Sequence, residues 1–310
     1  MSSTIATTVV KAVVVKVIDT NQVQIKYTKP DKKLIIMKTI KNAHNMKLNE
    51  TIYVSLNKLA PYAFISIKKI PNTLNLKLLS SGGGAWNITN LKMLKSTVTT
   101  FANYTVLRCH YDINSGTSVD PGVGGFSFIA NPTDMNKDAI KFSWDVYYPT
   151  GFQFARGGKF GGVGIGYGAA SGGNHSTTGA SNRIMWQEDG GIIDYIYLPT
   201  GVPQTNPALQ KEGFGIGLFK NDFAKALRTG YWNRIEIGTK MNTFKNGVPQ
   251  SNGETYVTVN GVKRTFSGIN WSGSPELKIS QINMGNFFGG PTPSPVEQFC
   301  YFKNFQVGEY

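Results

Sequence analysis

The feature of this chain that most constrains its fold is the alternation of apolar and polar residues in short stretches that end at glycine, proline or asparagine. It is clearest in KFSWDVYY (Lys141–Tyr148), WNRIEI (Trp232–Ile237) and ETYVTV (Glu254–Val259), and Asn260–Gly261 is a strong hairpin signal. Alternation with a period of two indicates strands that bury one face. Helical periodicity is confined to one or two turns at Asn221–Arg228. The pattern predicts an all-β protein whose main domain is a β-sandwich of the jelly-roll type.

Composition divides the chain near residue 80. Residues 1–80 contain no glycine, tryptophan or arginine, and all 35 glycines of the chain follow them. They carry 13 lysines and three acidic residues, which gives 13 − 3 = +10 of the total net charge of +14. One domain seldom segregates its composition in this way. We therefore predict a small basic domain at residues 1–79, a flexible linker at 80–85 that includes SSGGG, and a jelly-roll domain at 86–310.

The small domain is predicted to be a β-barrel of the OB or SH3-like kind, because five short strands alternate with turn residues. The strands are Thr8–Ile18, Gln22–Tyr27, Leu34–Ile40, Thr51–Leu56 and Phe64–Ile70. Its excess of lysine indicates attachment to a polyanion such as an acidic cell wall, with simple solubility as the alternative. Nucleic acid is a third interpretation, which is disfavoured because few aromatic side chains are present to stack on single-stranded bases.

The composition also bounds the class of protein. The net charge of +14 favours polyanionic partners. No apolar run is long enough to span a membrane, and the N-terminal residues lack the pattern of a signal peptide. Cys109 and Cys300 fit neither a zinc site nor a disulfide framework. They can pair only if their strands are neighbours, and buried free thiols in a monomer are the favoured expectation.

The largest concentration of reactive side chains lies in two predicted strands and in a glycine cluster before them. Lys159 sits where the glycine cluster passes into a strand. Ser181 and Arg183 share one face of SNRIMWQ, and Tyr195 and Tyr197 share one face of IIDYIYL. If these strands are neighbours, one sheet face presents two cations, a hydroxyl and two phenols, which suits a chain of sugar carboxylates. The alternative is an ordinary set of cross-strand pairs on a solvated surface.

Other kinds of active site find little support. The glycines of GVGIGYG (Gly162–Gly168) lack the spacing of a dinucleotide-binding loop. Glu188 and Asp189 are adjacent and point to opposite sides of a strand, which makes a glycosidase pair improbable. The three histidines are scattered, so we predict no metal site and no cofactor. Three aspartates offer ligands for a structural calcium ion, although their spacing does not require one: Asp112, Asp120 and Asp134.

The same residues carry a resemblance to a known family. The motifs GGKFGG, SNR and YIY, which contain the five residues described above, are similar in order and spacing to those of the algal-virus (chlorovirus) alginate and glucuronan lyases, polysaccharide lyase family 14. FSWDVYYP and YFKNF support the resemblance, which covers residues 86–310. It implies a jelly roll with a cationic cleft, and β-elimination that cuts uronate polymers beside their carboxylates.

The chemistry of β-elimination suggests a role for each residue. The C5 proton lies beside a carboxylate whose negative charge opposes the developing carbanion. Arg183 is the predicted carboxylate clamp because its guanidinium is bidentate, while Lys159 adds positive charge and Ser181 a hydrogen bond. A base must take the C5 proton and an acid must protonate the leaving O4 oxygen. Tyr195 or Tyr197 is predicted to do so, with Tyr195 favoured, if nearby cations lower its pKa from about 10.

Further expectations concern the surroundings of this set. His175 is a candidate lid or substrate-binding residue and Arg156 a candidate substrate contact, each otherwise simply exposed. The tryptophans are expected in the core rather than as sugar platforms. The rival function is a non-catalytic lectin that binds the same acidic polysaccharide. The resemblance implies action on an algal cell wall, by an enzyme made in the host cytoplasm and delivered with the virion or by lysis. The preferred uronate stays open.

Overall fold

The computed structural model describes residues 72–116, 124–133, 135–210, 214–289 and 292–310, together with the backbone of five strands nearer the N-terminus. Those strands are β1 (Thr7–Asp19), β2 (Gln22–Thr28), β3 (Ile35–Lys41), β4 (Thr51–Asn57) and β5 (Phe64–Ile67). They pair antiparallel in the order β3-β2-β1-β4-β5. The five predicted strands are thereby confirmed, and closure into a barrel stays a prediction.

The remaining strands form two antiparallel sheets and a small hairpin. They are β6 (Asn72–Thr73), β7 (Thr89–Lys92), β8 (Thr97–Phe101), β9 (Tyr104–Tyr111), β10 (Phe126–Ala130), β11 (Ala139–Tyr147), β12 (Gly157–Gly166), β13 (Gly179–Gln187), β14 (Ile192–Tyr197), β15 (Ile216–Leu218), β16 (Trp232–Lys240), β17 (Phe244–Lys245), β18 (Val248–Pro249), β19 (Gly253–Val259), β20 (Val262–Ile269), β21 (Ile279–Phe288) and β22 (Gln298–Glu309). Short 3-10 helices span Leu76–Ser81, Gly84–Trp86, Glu188–Gly190 and Pro207–Leu209. The seven-stranded sheet runs β15-β14-β13-β12-β21-β10-β7. The eight-stranded sheet runs β20-β19-β16-β11-β22-β9-β8, with β6 also paired to β22.

The two large sheets pack face to face around an aromatic core. The ring of Phe160 on β12 lies 5.7 Å from that of Trp144 on β11. The ring of Phe126 on β10 lies 5.1 Å from that of Phe302 on β22. All four side chains are buried, so one row from each sheet forms the interior of a sandwich. The predicted jelly-roll class is confirmed.

Four of the five tryptophans lie in this core, as predicted: Trp86, Trp144, Trp186 and Trp271. The expectation was wrong for Trp232. Its neighbours Asn233 and Ile235 are fully buried, whereas Trp232 is only half-buried. Because successive side chains of a strand point to opposite faces, Trp232 stands on the outer side of the eight-stranded sheet, opposite Tyr147.

Local backbone conformation explains one success and one failure of the sequence pattern. Asn260 and Gly261 join β19 to β20 with φ angles of 50° and 87°, which matches the two-residue hairpin that the Asn-Gly pair predicts. Residues 221–228 form turns rather than a helix. Phe219 and Lys225 adopt left-handed φ angles of 62° and 56°, and such residues interrupt a right-handed helix.

The boundary between the two compact units, residues 1–71 and 72–310, lies earlier than composition indicates. β6 already pairs with the closing strand β22, and three leucines that follow are buried in the core: Leu74, Leu76 and Leu79. Gly83 has a φ of 69°, and a Cβ there would lie 2.7 Å from the Ile88 side chain. The SSGGG segment therefore belongs to the packed unit, where its glycine permits close approach. No helix among the described residues is long and apolar enough to cross a membrane.

Candidate functional site

The strands β12, β13 and β14 are neighbours in the seven-stranded sheet, which brings the predicted site residues together. Ser181 pairs with Tyr197, and Arg183 pairs with Tyr195, directly across β13 and β14. The residues between them, such as Asn182, are fully buried on the inner face. The outer face of these strands therefore presents the hydroxyl, the guanidinium and both phenols side by side, as the alternation predicts.

Lys159 completes this set from β12. It lies directly opposite Met185 of β13, two residues from Arg183 on the same face. The Lys159 Nζ atom is 3.2 Å from the Met185 Sδ atom and 5.3 Å from the centre of the Tyr195 ring. The Arg183 Cζ atom is 5.6 Å from the centre of the Tyr197 ring. We call the five residues the groove cluster: Lys159, Ser181, Arg183, Tyr195 and Tyr197.

Glycines on both sides of the cluster keep the sheet surface open. Gly162 and Gly164 of β12 lie opposite Arg183 and Ser181. A Cβ atom on Gly162 would come within 2.6 Å of the Arg183 Cα atom, so no other residue fits there without moving the strands apart. On the other side, Gly217 of β15 lies opposite Tyr195. The long side chains of the cluster therefore have glycines as cross-strand neighbours on both sides. We call the strip of sheet surface between Gly162, Gly164 and Gly217, with the cluster in it, the groove.

The loop between β12 and β13 closes one side of the groove. The backbone amide of Gly173 donates to the Tyr197 hydroxyl at 3.1 Å. The backbone oxygen of Ala170 accepts from Ser181 Oγ at 2.7 Å and from Arg183 Nη2 at 3.4 Å. His175 is exposed, and its ring centre lies 5.0 Å from that of Tyr197. The structure therefore places His175 beside the cluster.

The two cations of the cluster are poorly solvated. Burial, together with the neighbouring charge of Arg183, lowers the pKa of Lys159 from 10.5 to about 8. Burial also lowers the pKa of Arg183, partly offset by the two tyrosines. Within the described part of the chain, neither cation forms an ion pair with a carboxylate, and the buried Arg183 Nε has no hydrogen-bond partner. Such a site favours an anionic ligand that supplies the missing partner.

Tyr195 behaves differently from the expectation that nearby cations lower its pKa. Burial and, to a smaller extent, the charge and hydrogen bond of Tyr197 raise the pKa of Tyr195 to about 12, although the Gly215 backbone and Arg183 act in the opposite direction. Desolvation outweighs the cations because it disfavours the phenolate directly. The prediction of a lowered Tyr195 pKa was therefore wrong, and Tyr195 remains a protonated phenol at neutral pH.

Two supporting residues escaped the sequence reasoning. Met185 faces the Lys159 ammonium with a thioether, which is only a weak acceptor. Asn286 of β21 donates from Nδ2 to the Lys159 backbone oxygen at 3.2 Å, where the pairing of β12 and β21 shifts register. The buried Tyr111 hydroxyl donates to Asn286 Oδ1 and fixes the amide in turn. Neither residue shows a signal in the sequence, because both roles depend on cross-strand register.

A set of hydrogen-bonded polar side chains is buried directly behind the cluster, between the two sheets. Asn182 Nδ2 donates to Thr239 and Thr255 of the eight-stranded sheet, both at 2.8 Å. Thr255 Oγ1 donates to Asp194 Oδ2 at 2.7 Å. Burial raises the pKa of Asp194 to about 7, only partly offset by the Thr255 hydrogen bond. The strands that carry Arg183 and Tyr195 are thus tied to the opposite sheet by polar contacts.

The other predicted residues lie outside the groove cluster. Arg156 is exposed one residue before β12, and no described polar contact joins it to the cluster. Cys109 and Cys300 are buried free thiols directly opposite each other on β9 and β22. Asp112 accepts from Lys95 at 2.6 Å, whereas Asp120 and Asp134 lie outside the described residues.

One group within the described part of the chain has the atoms to ligate a metal ion: His110, Asp112 and Glu297. His110 Nε2 is 3.0 Å from Asp112 Oδ1 and 3.4 Å from Glu297 Oε1. These distances fit ion pairs as well as ligands, and Lys95 already holds the second Asp112 oxygen. The group is on the eight-stranded sheet and contributes nothing to the groove.

Comparison with known proteins confirms the family that the motifs indicate. A family model described as Polysaccharide lyase 14 matches residues 99–305. The chain is 30% identical over 227 residues to Exolysin of Paramecium bursaria Chlorella virus 1, which is 64% of this chain and 34% of that protein. The chain therefore spans about a third of the length of this curated relative.

Solved structures give the same answer. The alginate lyase vAL-1 from Chlorella virus is 61% identical, with a TM-score of 0.76, and the match covers 77% of this chain and 99% of that one. The marine PL-14 alginate lyase from Aplysia kurodai is 22% identical, with a TM-score of 0.61, and the match covers 72% and 90% of the two chains. The second likeness is one of fold, and the first extends to sequence over nearly the whole of the solved chain.

Proposed function

Because the chain belongs to polysaccharide lyase family 14, we propose that it cleaves a uronate polymer such as alginate or glucuronan by β-elimination in the groove. The observation that carries the proposal is a pair of desolvated cations, Lys159 and Arg183, which lack carboxylate partners and lie beside two phenols. The name of the 61% identical structural relative, an alginate lyase from Chlorella virus, supports the same substrate class.

Carboxylate binding is the first task of the groove. Arg183 is held by the Ala170 backbone oxygen, and its unpaired Nε faces no other acceptor among the described residues. Its guanidinium neutralises the substrate carboxylate, which lowers the barrier to an enolate-like charge at C5. Ser181 lies beside it and bonds to the same backbone oxygen, so the hydroxyl adds a fixed dipole.

The roles in proton transfer follow from the pKa values of Lys159 and Tyr195, which the site shifts in opposite directions. Lys159, with a pKa of about 8, is available as a neutral amine near neutral pH, and the Met185 thioether stabilises its charged form only weakly. Tyr195, with a pKa of about 12, keeps its proton. Groups shifted in opposite directions mark a base and an acid. We therefore assign the base to Lys159 and the acid to Tyr195, instead of the tyrosine base that the sequence favours.

The bond changes balance as follows. The Lys159 amine takes the proton from C5, and that electron pair forms the C4–C5 double bond. The C4–O4 bond breaks, and the Tyr195 hydroxyl gives its proton to O4. Two shorter chains result, one with an unsaturated uronate at its new end. Tyr197, whose hydroxyl is held by the Gly173 amide, orients the substrate and the loop.

The test is ultraviolet absorbance of the unsaturated product from alginate blocks and from glucuronan. We expect a rise with the unchanged protein and almost none with Lys159→Ala, since the base is gone. Lys92→Ala, an exposed lysine of β7 in the same sheet, is the matched control and should keep full activity. Absence of product from every polyuronate with binding intact would make the protein a lectin.

The basic N-terminal unit remains a separate proposal. We propose that its lysine excess, a net charge of +9 over residues 1–71, attaches the protein to an anionic cell wall, where delivery with a virion or by lysis would bring it. Direct competition between DNA and soluble polyuronate for the full chain tests this. Preference for DNA at equal salt would favour the nucleic-acid interpretation instead.

A further inference from the structure

We infer that the outer face of the eight-stranded sheet is a second binding surface for acidic polysaccharide, separate from the groove. We call it the aromatic surface, and it consists of six residues: Tyr104, Arg108, Tyr147, Trp232, Tyr301 and Lys303. The choice of a uronate polymer as its ligand rests on the proposed function of the groove. The surface itself is defined by geometry and charge alone.

The aromatic rings form a row across the strands. Trp232, Tyr147 and Tyr301 lie directly opposite one another on β16, β11 and β22, and Arg108 of β9 continues the row. The ring centres are 5.6 Å apart for Trp232 and Tyr147 and 6.3 Å for Tyr147 and Tyr301. Phe101 of β8 stacks on the Tyr301 ring at 4.1 Å and lies 5.1 Å from the Tyr147 ring, so these two rings form the base of the surface. Tyr104 is exposed and Trp232 half-buried, with ring centres 6.3 Å apart, and a sugar can place its apolar C–H face on this pair.

Positive charge accompanies the rings, and Asp145, opposite Lys303 across β11 and β22, offsets part of it. The Lys303 Nζ atom lies 3.2 Å from the centre of the Tyr104 ring and 4.1 Å from that of Trp232. The Arg108 Cζ atom lies 4.4 Å from the centre of the Phe299 ring. Neither cation forms an ion pair among the described residues. Other cations of the same outer face do: Lys141 with Glu236, Arg234 with Asp145, and Lys240 with Glu254.

This charge decides which occupant fits. Tyr104 is 51% exposed, and contiguous exposed aromatic side chains are typical of surfaces that bind a ligand or a partner. A second copy of the chain, docked symmetrically through this surface, would bring one set of Arg108 and Lys303 towards another, and the like charges would repel. A neutral glycan would use the rings but leave the cations without partners. A polymer with one carboxylate per sugar satisfies both features, and cations held over aromatic rings keep a partner when the polymer leaves.

Tryptophan fluorescence reports on this surface specifically. Trp232 is half-buried, whereas the other four tryptophans are at most 1% exposed. Residues 1–80 contain no tryptophan, so polymer bound to the N-terminal unit shields no tryptophan of that unit from the quencher. The experiment is acrylamide quenching of the full chain carrying Lys159→Ala, titrated with soluble polymannuronate. We expect the polymer to protect Trp232 from the quencher, and dextran, a neutral glycan, not to do so.

Paired variants separate this surface from other causes. Tyr104→Ala combined with Arg108→Gln should raise the polymer concentration for half-protection by at least about tenfold. Tyr310→Ala, an exposed tyrosine at the end of the same sheet, should leave it unchanged. The inference is overturned if the polymer gives no protection, or if it protects the Tyr104/Arg108 double variant as well as it protects Tyr310→Ala. It is also overturned if protection grows with protein concentration in the absence of polymer, because that indicates self-association. Failure of the proposed function appears separately, as absence of unsaturated product from the unchanged protein.

Discussion

The groove and the aromatic surface use the same kinds of side chain in opposite ways. Both place cations beside aromatic rings with no carboxylate partner among the described residues. In the groove, glycines flank the cluster and burial shifts the pKa of Lys159 and of Tyr195. On the aromatic surface, no glycine opens the row, and the rings pack against one another. Burial also lowers the pKa of Lys303, but there the negative charge of Asp145 opposes the shift, whereas at Lys159 the positive charge of Arg183 adds to it. The comparison teaches that the sign of the neighbouring charge, rather than residue type, distinguishes the two lysines.

The sharpest test of this contrast is Lys159→Met, which keeps the size of the side chain and removes the amine. If Lys159 is the base, kcat should fall by about 10²–10⁴-fold, the usual contribution of a general base. KM should change little because Arg183 still holds the carboxylate. The matched change on the aromatic surface, Lys303→Met, should leave kcat on short oligouronates unaltered. A comparable loss of kcat in both variants would remove the distinction between the two regions.

The pH profile sharpens the comparison next. Because the pKa of Lys159 is lowered to about 8, the active amine form increases as pH rises, so kcat/KM should climb tenfold per pH unit below 8 and level off above it. At pH 6 the rate should be about a hundredfold below the plateau. Met185→Gln, which gives the ammonium a better acceptor, should move the midpoint upward. If the midpoint of the kcat/KM profile lies above pH 9, the base is a tyrosine rather than Lys159.

The polar group behind the groove predicts a stability effect. Burial raises the pKa of Asp194 from 3.8 in the unfolded chain to about 7, so the folded state holds its proton longer. Stability should therefore fall as pH rises from about 4 to 7, by as much as about 4 kcal/mol, and stay low above 7. Asp194→Asn should abolish this pH dependence and unfold at a higher temperature than the unchanged protein at pH 8. Calorimetric scans at pH 4 and pH 8 measure both.

The smallest predicted effect is at the edge of the aromatic surface. Arg108→Gln removes the cation over Phe299 and should lower the free energy of unfolding by about 0.5–1 kcal/mol, as expected for an exposed cation–π contact. Chemical denaturation measures the change, and Arg108→Lys should recover part of it. Turnover of short oligouronates should not change in either variant, because the proposed site of cleavage lies on the other sheet.

Much of this fold follows from alternation in the sequence. The period of two identified β11, β16, β19 and the hairpin at Asn260–Gly261, and it assigned the correct face to Ser181, Arg183, Tyr195 and Tyr197. Face assignment needs only the parity of a residue along its strand. The adjacency of β12, β13 and β14 was only a condition of the prediction, because parity alone cannot give the order of strands in a sheet.

What the sequence did not reveal depends on register and burial. Met185 faces Lys159 only because β12 and β13 pair at that point, and Asn286 reaches the Lys159 carbonyl only where β12 and β21 shift register. The pKa of Tyr195 was predicted in the wrong direction because charge is visible in a sequence and desolvation is not. Trp232 was misjudged for a related reason, since its hydrophobicity says nothing about which side of the sheet it occupies.

The glycines of β12 show how a missing side chain can carry information. At Gly162 any added carbon would press on the Arg183 backbone, so a substitution that narrows the groove there also pries apart β12 and β13. At Gly164 an added carbon would meet only the Gln281 side chain, 3.0 Å away, which can swing aside. The width of the groove is therefore locked to the integrity of the sheet at the first position and adjustable at the second. A side chain that narrows the groove without separating the strands is therefore expected to be tolerated at Gly164 and not at Gly162.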